Sequence, residues 1–143
     1  MDEIGQLVED FRIAARRSLD CGFKVIELHG AHGYLMHAFL SPISNTRSDA
    51  YGSDLAGRMR FPLEVSRAVR QEVGEDIPLF FRISAIDGIE GGWSMEDSVV
   101  LSKALGEAGI DVVDCSSGGV SGAPRFRTDD DGKPLSGLSL IHI

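Results

Sequence analysis

The chain has 143 residues, with 22 acidic and 14 basic side chains, a formal net charge of −8 and 43% apolar residues. This is the balance of an ordinary globular domain, long enough to bury a core without disulfide or metal staples. The negative charge argues against general affinity for nucleic acid or an anionic membrane surface, and no apolar run approaches the roughly 18 residues of a membrane span.

The periodicity predicts a first helix over Asp2–Leu19, with Ile4, Leu7, Val8, Phe11, Ala14, Ala15 and Leu19 on one face and Gly22 as its stop. Phe23–Leu28 (FKVIEL) is rich in strand formers and reads as a first strand. Residues 30–53 form a long polar excursion with a helical turn around Leu35–Phe39, the kind of connection that carries function in a compact domain. A second helix fits Asp54–Val73, and Pro62 implies either that it starts there or that it kinks there. Pro78–Ser84 (PLFFRIS) is a second strand. Ser94–Ala108 is a third helix, with Ser94 and Asp97 as an approximate capping box and Gly109 as its end. Asp111–Cys115 (DVVDC) is a third strand. The order α-β-α-β-α-β is that of parallel strands joined by right-handed helical crossovers. Three strands cannot close an eight-unit barrel of about 250 residues, so the pattern fits a small open α/β sheet or part of a barrel. No internal repeat is present. Beyond Gly122 periodicity is lost, and the acidic run Asp129–Asp131 reads as solvated.

In parallel α/β folds ligands bind beyond the carboxyl ends of the strands. His29-Gly30-Ala31-His32-Gly33-Tyr34 follows the first strand, and Ser116-Ser117-Gly118-Gly119 follows the third. Arg82 stands inside the apolar second strand and must meet an anionic or strongly polar partner, either a nearby carboxylate or a ligand that becomes negative during reaction. His29 and His32 can donate two hydrogen bonds to one oxygen; together with His37 they are also conceivable metal ligands. Tyr34 is a candidate general acid or a packing residue, and the Ser-Ser-Gly-Gly loop a phosphate cradle or a plain turn. Asn45, Arg47, Asp49 and Tyr51 suit a loop held by its own side chain–backbone bonds. Cys21 and Cys115 form no metal or redox motif and read as free thiols. With no signal-like start at Met1-Asp2-Glu3, the expected location is cytoplasmic.

The run Ile26–Leu35 (IELHGAHGYL), followed by Phe39-Leu40-Ser41-Pro42 and Ser44–Gly52 (SNTRSDAYG), closely resembles the old yellow enzyme family of FMN-dependent NAD(P)H oxidoreductases. The resemblance continues at Arg58–Glu64, Phe81–Ser84, Gly91-Gly92-Trp93 and Asp111–Gly119, and covers roughly residues 8–125 in unbroken order. With histidine at both 29 and 32, the chain is similar to the bacterial branch. The resemblance implies part of a (β/α)8 barrel, about three consecutive β/α units, with residues 1–125 as the central part of an FMN-binding barrel and 126–143 as an irregular tail. It implies that His29 and His32 bind the carbonyl or nitro oxygen of an activated alkene, with Tyr34 as proton donor. Arg82 would contact the flavin near N1 and the C2 carbonyl, and Ser116 would lie near the flavin phosphate. The cofactors implied are FMN and NAD(P)H as reductant, and the partner a small-molecule substrate, in a complete enzyme that is compatible with a homo-oligomer.

The chain departs from the family at Gly52-Ser53, where two glycines are usual, and at Ala56-Gly57, where a Glu-Asn pair is usual. The family's N-terminal strands and its later Gly-Arg phosphate site have no counterpart, so the chain resembles the middle of a longer enzyme, expected to be inactive as an isolated fragment. Leu138–Ile143 resembles a translated sequencing-adapter sequence, so 138–143 is expected to be non-native and His142 without a role. The contrasting expectation is a non-catalytic half-barrel module whose exposed parallel edges require a partner.

Overall fold

A computed structural model of the chain describes residues 3–120. The boundary expected after residue 125, the tail, and the acidic run Asp129–Asp131 lie outside the described residues.

The first helix, α1, spans Glu3–Asp20. Gly22, at φ 91°, ends it: its N–H donates to the Leu19 carbonyl at 2.8 Å, and the Phe23 N–H to Ser18 at 3.1 Å. This is a Schellman closure, which satisfies carbonyls the helix itself cannot reach. It also explains where the first strand begins. Phe23 still belongs to the helix cap, so β1 is Ile26–Gly30 rather than the expected Phe23–Leu28. Gly30 belongs to the strand despite its weak propensity because a Cβ there would stand 2.2 Å from the Phe81 ring.

A short helix, α2 (Leu35–Leu40), falls where the helical turn was expected. The long helix α3 spans Leu55–Val73 and is capped by Asp54, whose carboxylate accepts from the Gly57 N–H at 2.7 Å. The helix therefore does not begin at Pro62; it runs through it. A proline inside a helix, with its missing hydrogen bond and ring clash, costs about 3 kcal/mol, and the burial of Phe61, Pro62, Leu63 and Val65 around that position offsets it. Strand β2 (Leu79–Ser84), helix α4 (Met95–Glu107) and strand β3 (Val112–Ser116) complete the order. The capping box at the start of α4 is formed in both directions between Ser94 and Asp97, at 3.1 Å each way.

The three strands are parallel in the order β1-β2-β3. Strand alternation gives the sheet two unlike faces. Ile26, Leu28, Leu79, Phe81 and Ile83 join Phe61, Val65 and Val69 of α3 and Leu101 and Leu105 of α4 in one buried cluster. The opposite face carries Glu27 and His29 of β1, Arg82 of β2, and Asp114 and Ser116 of β3. At the amino ends of the strands, Arg70 of α3 is buried. It donates to the carbonyls of Gly109, Gly74 and Ile77 at 2.8, 2.6 and 2.9 Å and to the Asp111 carboxylate at 2.6 Å. Asp111 in turn accepts from the Leu79 N–H at 2.8 Å, so one guanidinium locks the starts of β2 and β3 to α3. No helix among the described residues is long and apolar enough to cross a membrane.

Candidate active site

The strand ends converge. Register pairs His29 with Arg82 and Arg82 with Asp114, so these three side chains form one row across the polar face. Beyond that row, the loop after β1 and the loop after β3 meet backbone to backbone. A Cβ on Gly33 would lie 2.4 Å from the Gly119 carbonyl oxygen, and one on Gly119 would lie 2.3 Å from the His32 Cα. Only glycine allows that approach.

His32 sits at φ 59°, a left-handed conformation that costs a residue with a Cβ roughly 1–2 kcal/mol. Two hydrogen bonds hold it there. Its N–H donates to the Ser84 hydroxyl at 3.0 Å, and its Nε2 lies 2.6 Å from the Ser116 hydroxyl. Ser84 also donates to the Gly118 carbonyl at 2.7 Å, so this one buried hydroxyl ties the two loops together. The His29 ring stands 5.2 Å from that of His32 and 5.5 Å from that of Tyr34, centroid to centroid. Burial first, then the Arg82 charge and His37, hold the His29 imidazole below its ordinary value. Burial, His29, Arg82 and His37 do the same for His32, against the opposing pull of Asp114. Both rings are therefore neutral at pH 7, each with one N–H to give and one nitrogen to accept.

Tyr34 opens α2 and its side chain is 66% exposed; among the described residues its hydroxyl has no hydrogen-bond partner. Arg82 meets Asp114, with Nη1 to Oδ2 at 3.2 Å, both side chains being over a third exposed. That pair answers the carboxylate alternative for Arg82, but only in part: its Nε is buried and has no acceptor among the described residues. Glu27, on the same face, has its carboxyl raised by burial and by Asp114, with Arg82 opposing.

The sequence reading misses three residues. Ser84 is one. The others are Asp87, and His37 in its actual role. His37 is fully buried and both its ring nitrogens are committed, Nδ1 to the Gly33 N–H and Nε2 to Asp87 Oδ1, each at 2.8 Å. It is therefore not a third metal ligand beside His29 and His32, and no metal-holding cluster exists among the described residues. Asp87 also accepts from the Ser41 hydroxyl at 2.6 Å and the Trp93 N–H at 2.7 Å. Burial pushes its carboxyl up, but His37, Ser41 and Trp93 outweigh that and hold it below the usual carboxylate range. The polar loop is self-supporting, as expected. Asn45 donates to the Phe39 and Tyr51 carbonyls at 2.6 and 2.8 Å, Asp49 accepts from the Tyr51 N–H, and Arg47 pairs with Asp49.

The profile of the NADH:flavin oxidoreductase / NADH oxidase family matches residues 1–134. The chain belongs to that family. It is 45% identical over 123 residues to the NADPH dehydrogenase of Halalkalibacterium halodurans, a match covering 86% of this chain and 36% of that protein. Among solved structures, a 2-naphthoyl-CoA reductase superposes with a TM-score of 0.77 at 32% identity, over 90% of this chain and 20% of that one. The old yellow enzyme homologue from Zymomonas mobilis superposes with a TM-score of 0.73 at 28% identity, over 94% and 36%. The chain thus spans about a third of the curated relative it matches. Its three parallel β/α units are a section of a β/α barrel, with the polar face of the sheet on the barrel interior.

Proposed function

We propose that the full-length protein is an FMN-dependent NAD(P)H oxidoreductase that reduces activated C=C bonds, such as those of enones and nitroalkenes. The observation that carries this reading is the juxtaposition of two neutral imidazoles and a phenol beside a guanidinium whose buried Nε, like the phenol hydroxyl, has no hydrogen-bond partner among the described residues. An orphaned buried N–H on a permanent cation fits an acceptor that gains negative charge, as the pyrimidine edge of a flavin does on reduction. When bound, FMN supplies the hydride, received from NAD(P)H and delivered to the β-carbon of the alkene.

The rest of the chemistry belongs to this chain. His29 and His32 donate to the carbonyl or nitro oxygen and stabilise the charge that builds there as the hydride adds. Tyr34 delivers the proton to the α-carbon and recovers one from solvent, so that hydride and proton together saturate the double bond. Arg82 would hold the cofactor edge through Nε, with Asp114 fixing the other side of its guanidinium.

The bond between His32 and Ser116 limits how these roles combine. A neutral imidazole carries one N–H. If Nε2 donates to Ser116, His32 has none left for a substrate oxygen. If Ser116 donates to Nε2, then Nδ1–H is available to substrate and the serine has no proton for a phosphate. We assign the second arrangement, in which the Ser116 hydroxyl orients His32 and does not donate to the flavin phosphate near which the resemblance places this residue. Rapid-mixing measurements of the two half-reactions test the proposal. Tyr34→Phe is expected to slow alkene reduction by about a hundredfold and to leave cofactor reduction by NAD(P)H nearly unchanged. Equal slowing of both would remove Tyr34 from the proton-donor role.

A further inference from the structure

We propose that His37 is a positioning residue for Tyr34, acting through the Gly33 amide. The proposal rests on the proton-donor reading of Tyr34 given above. The Tyr34 side chain is exposed and, among the described residues, its hydroxyl has no hydrogen-bond partner and its ring has only the His29 ring beside it, at 5.5 Å. Its aim is set by the backbone on either side. On the helical side, the Tyr34 carbonyl accepts the Ala38 N–H at 2.8 Å, the first turn of α2. On the other side stand two consecutive left-handed residues, His32 at φ 59° and Gly33 at φ 78°. Gly33 adopts that conformation without strain, but His32, which carries a Cβ, keeps it only where the surroundings over-determine it.

Ser84 and Ser116 hold His32, and His37 adds a constraint on the next amide, that of Gly33. Gly33 can only donate through its N–H, so Nδ1 of His37 must be the unprotonated nitrogen, and Nε2–H then faces the Asp87 carboxylate. Asp87 is pinned in turn by the Ser41 hydroxyl, just past the end of α2, and by the Trp93 N–H in the loop between β2 and α4. The relay Trp93/Ser41–Asp87–His37–Gly33 is buried from the carboxylate to the imidazole, where hydrogen bonds face no competition from water. It ends on the amide between the residue that binds the substrate oxygen and the residue that protonates its neighbouring carbon. A small error in placing a reacting group is costly: about 1 Å can cost a hundredfold in rate.

Two conservative variants of the full-length protein separate the halves of the relay. In His37→Gln the side-chain N–H can still serve Asp87, but the amide oxygen no longer stands at the Nδ1 position that accepts from Gly33. In His37→Asn the side-chain oxygen can still accept from Gly33. Expected for His37→Gln is a tenfold to hundredfold loss in the rate of 2-cyclohexenone reduction, with cofactor reduction by NAD(P)H changed by less than about twofold and protection of the Gly33 amide against hydrogen exchange lost. His37→Asn should recover much of both. In a Tyr34→Phe background, His37→Gln should add no further slowing, since the group it positions is absent. If either His37 variant fails to fold, Ser41→Ala, which removes one partner of Asp87, should slow the same half-reaction more mildly. Equal slowing of both half-reactions, or slowing that simply adds to that of Tyr34→Phe, would reduce His37 to a structural residue and overturn the proposal alone. If Tyr34→Phe by itself leaves enone reduction intact, the proton-donor reading fails first and the positioning role with it.

Discussion

Replacing Asp87 by alanine removes the single acceptor that three buried donors share: His37 Nε2–H at 2.8 Å, the Ser41 hydroxyl at 2.6 Å and the Trp93 N–H at 2.7 Å. Each buried donor left without an acceptor costs about 1–3 kcal/mol, so simple addition gives roughly 3–9 kcal/mol. The upper end overshoots. The Ser41 hydroxyl can turn away, and a water molecule entering the vacated space would meet two of the three donors. The expected loss is therefore about 3–5 kcal/mol, a large fraction of the total for a domain of this size. Trp93 is the only tryptophan and is itself buried, with its backbone on Asp87 and its indole N–H on the Ser98 hydroxyl at 2.7 Å. Its fluorescence therefore reports unfolding from within the affected network. With a urea dependence of about 1.5 kcal/mol per molar, the midpoint should fall by about 2–3 M. Asp49→Ala, which removes an exposed partner of Arg47 and an exposed acceptor of the Tyr51 N–H, should shift it by far less. Equal midpoints for the two variants would refute the reasoning.

The acid side of the stability profile carries the same signature. The Asp87 carboxyl is held below its ordinary value, so its contribution is complete above about pH 4 and is lost as pH falls through the folded value. Asp87→Asn should flatten that acid limb in an equilibrium unfolding series, and an unchanged limb would place the titration elsewhere. Gly119→Ala puts a methyl 2.3 Å from the His32 Cα at a φ of 111°, and should cost about 2 kcal/mol or more while parting the two loops. A urea midpoint like that of the parent chain would mean the loops do not touch. In the full-length protein, Ser116→Ala should weaken binding of phenolic ligands, through loss of the His32 orientation, and leave FMN affinity unchanged in titration. Loss of FMN affinity with phenol binding intact would reverse that assignment and return Ser116 to the phosphate.

Much of this fold was legible in the sequence because its helix starts are chemically marked. Asp54 and Ser94 cap α3 and α4 where local rules place them, and Gly22 closes α1. The errors arise where tertiary contacts overrule local ones. Pro62 suggests a start or a kink, yet the cap at Asp54 and the buried surroundings carry the helix through it. Phe23 and Val25 look like strand residues, but β2 begins opposite Ile26 and the helix cap reaches Phe23. In the candidate site, Arg82 stands out as a charge in an apolar strand, and His29, His32 and Tyr34 as a motif at a strand end. The shell beneath them does not stand out. Nothing local marks Asp87 as the acceptor for a histidine fifty residues earlier, and a buried serine such as Ser84 is indistinguishable in sequence from an exposed one. His37, read as a conceivable metal ligand, shows the same limit: its neighbours in space decide its chemistry, and they lie in the loops after β1 and β2.

The central claim, that this row of residues serves a flavin, is tested most directly by the chromophore of the full-length protein. Purified, denatured and analysed for released flavin, it should yield FMN close to one per chain, and Arg82→Met should retain markedly less. A colourless protein that takes up no FMN when titrated with it would contradict the claim, and the polar face of the sheet would then need a different ligand.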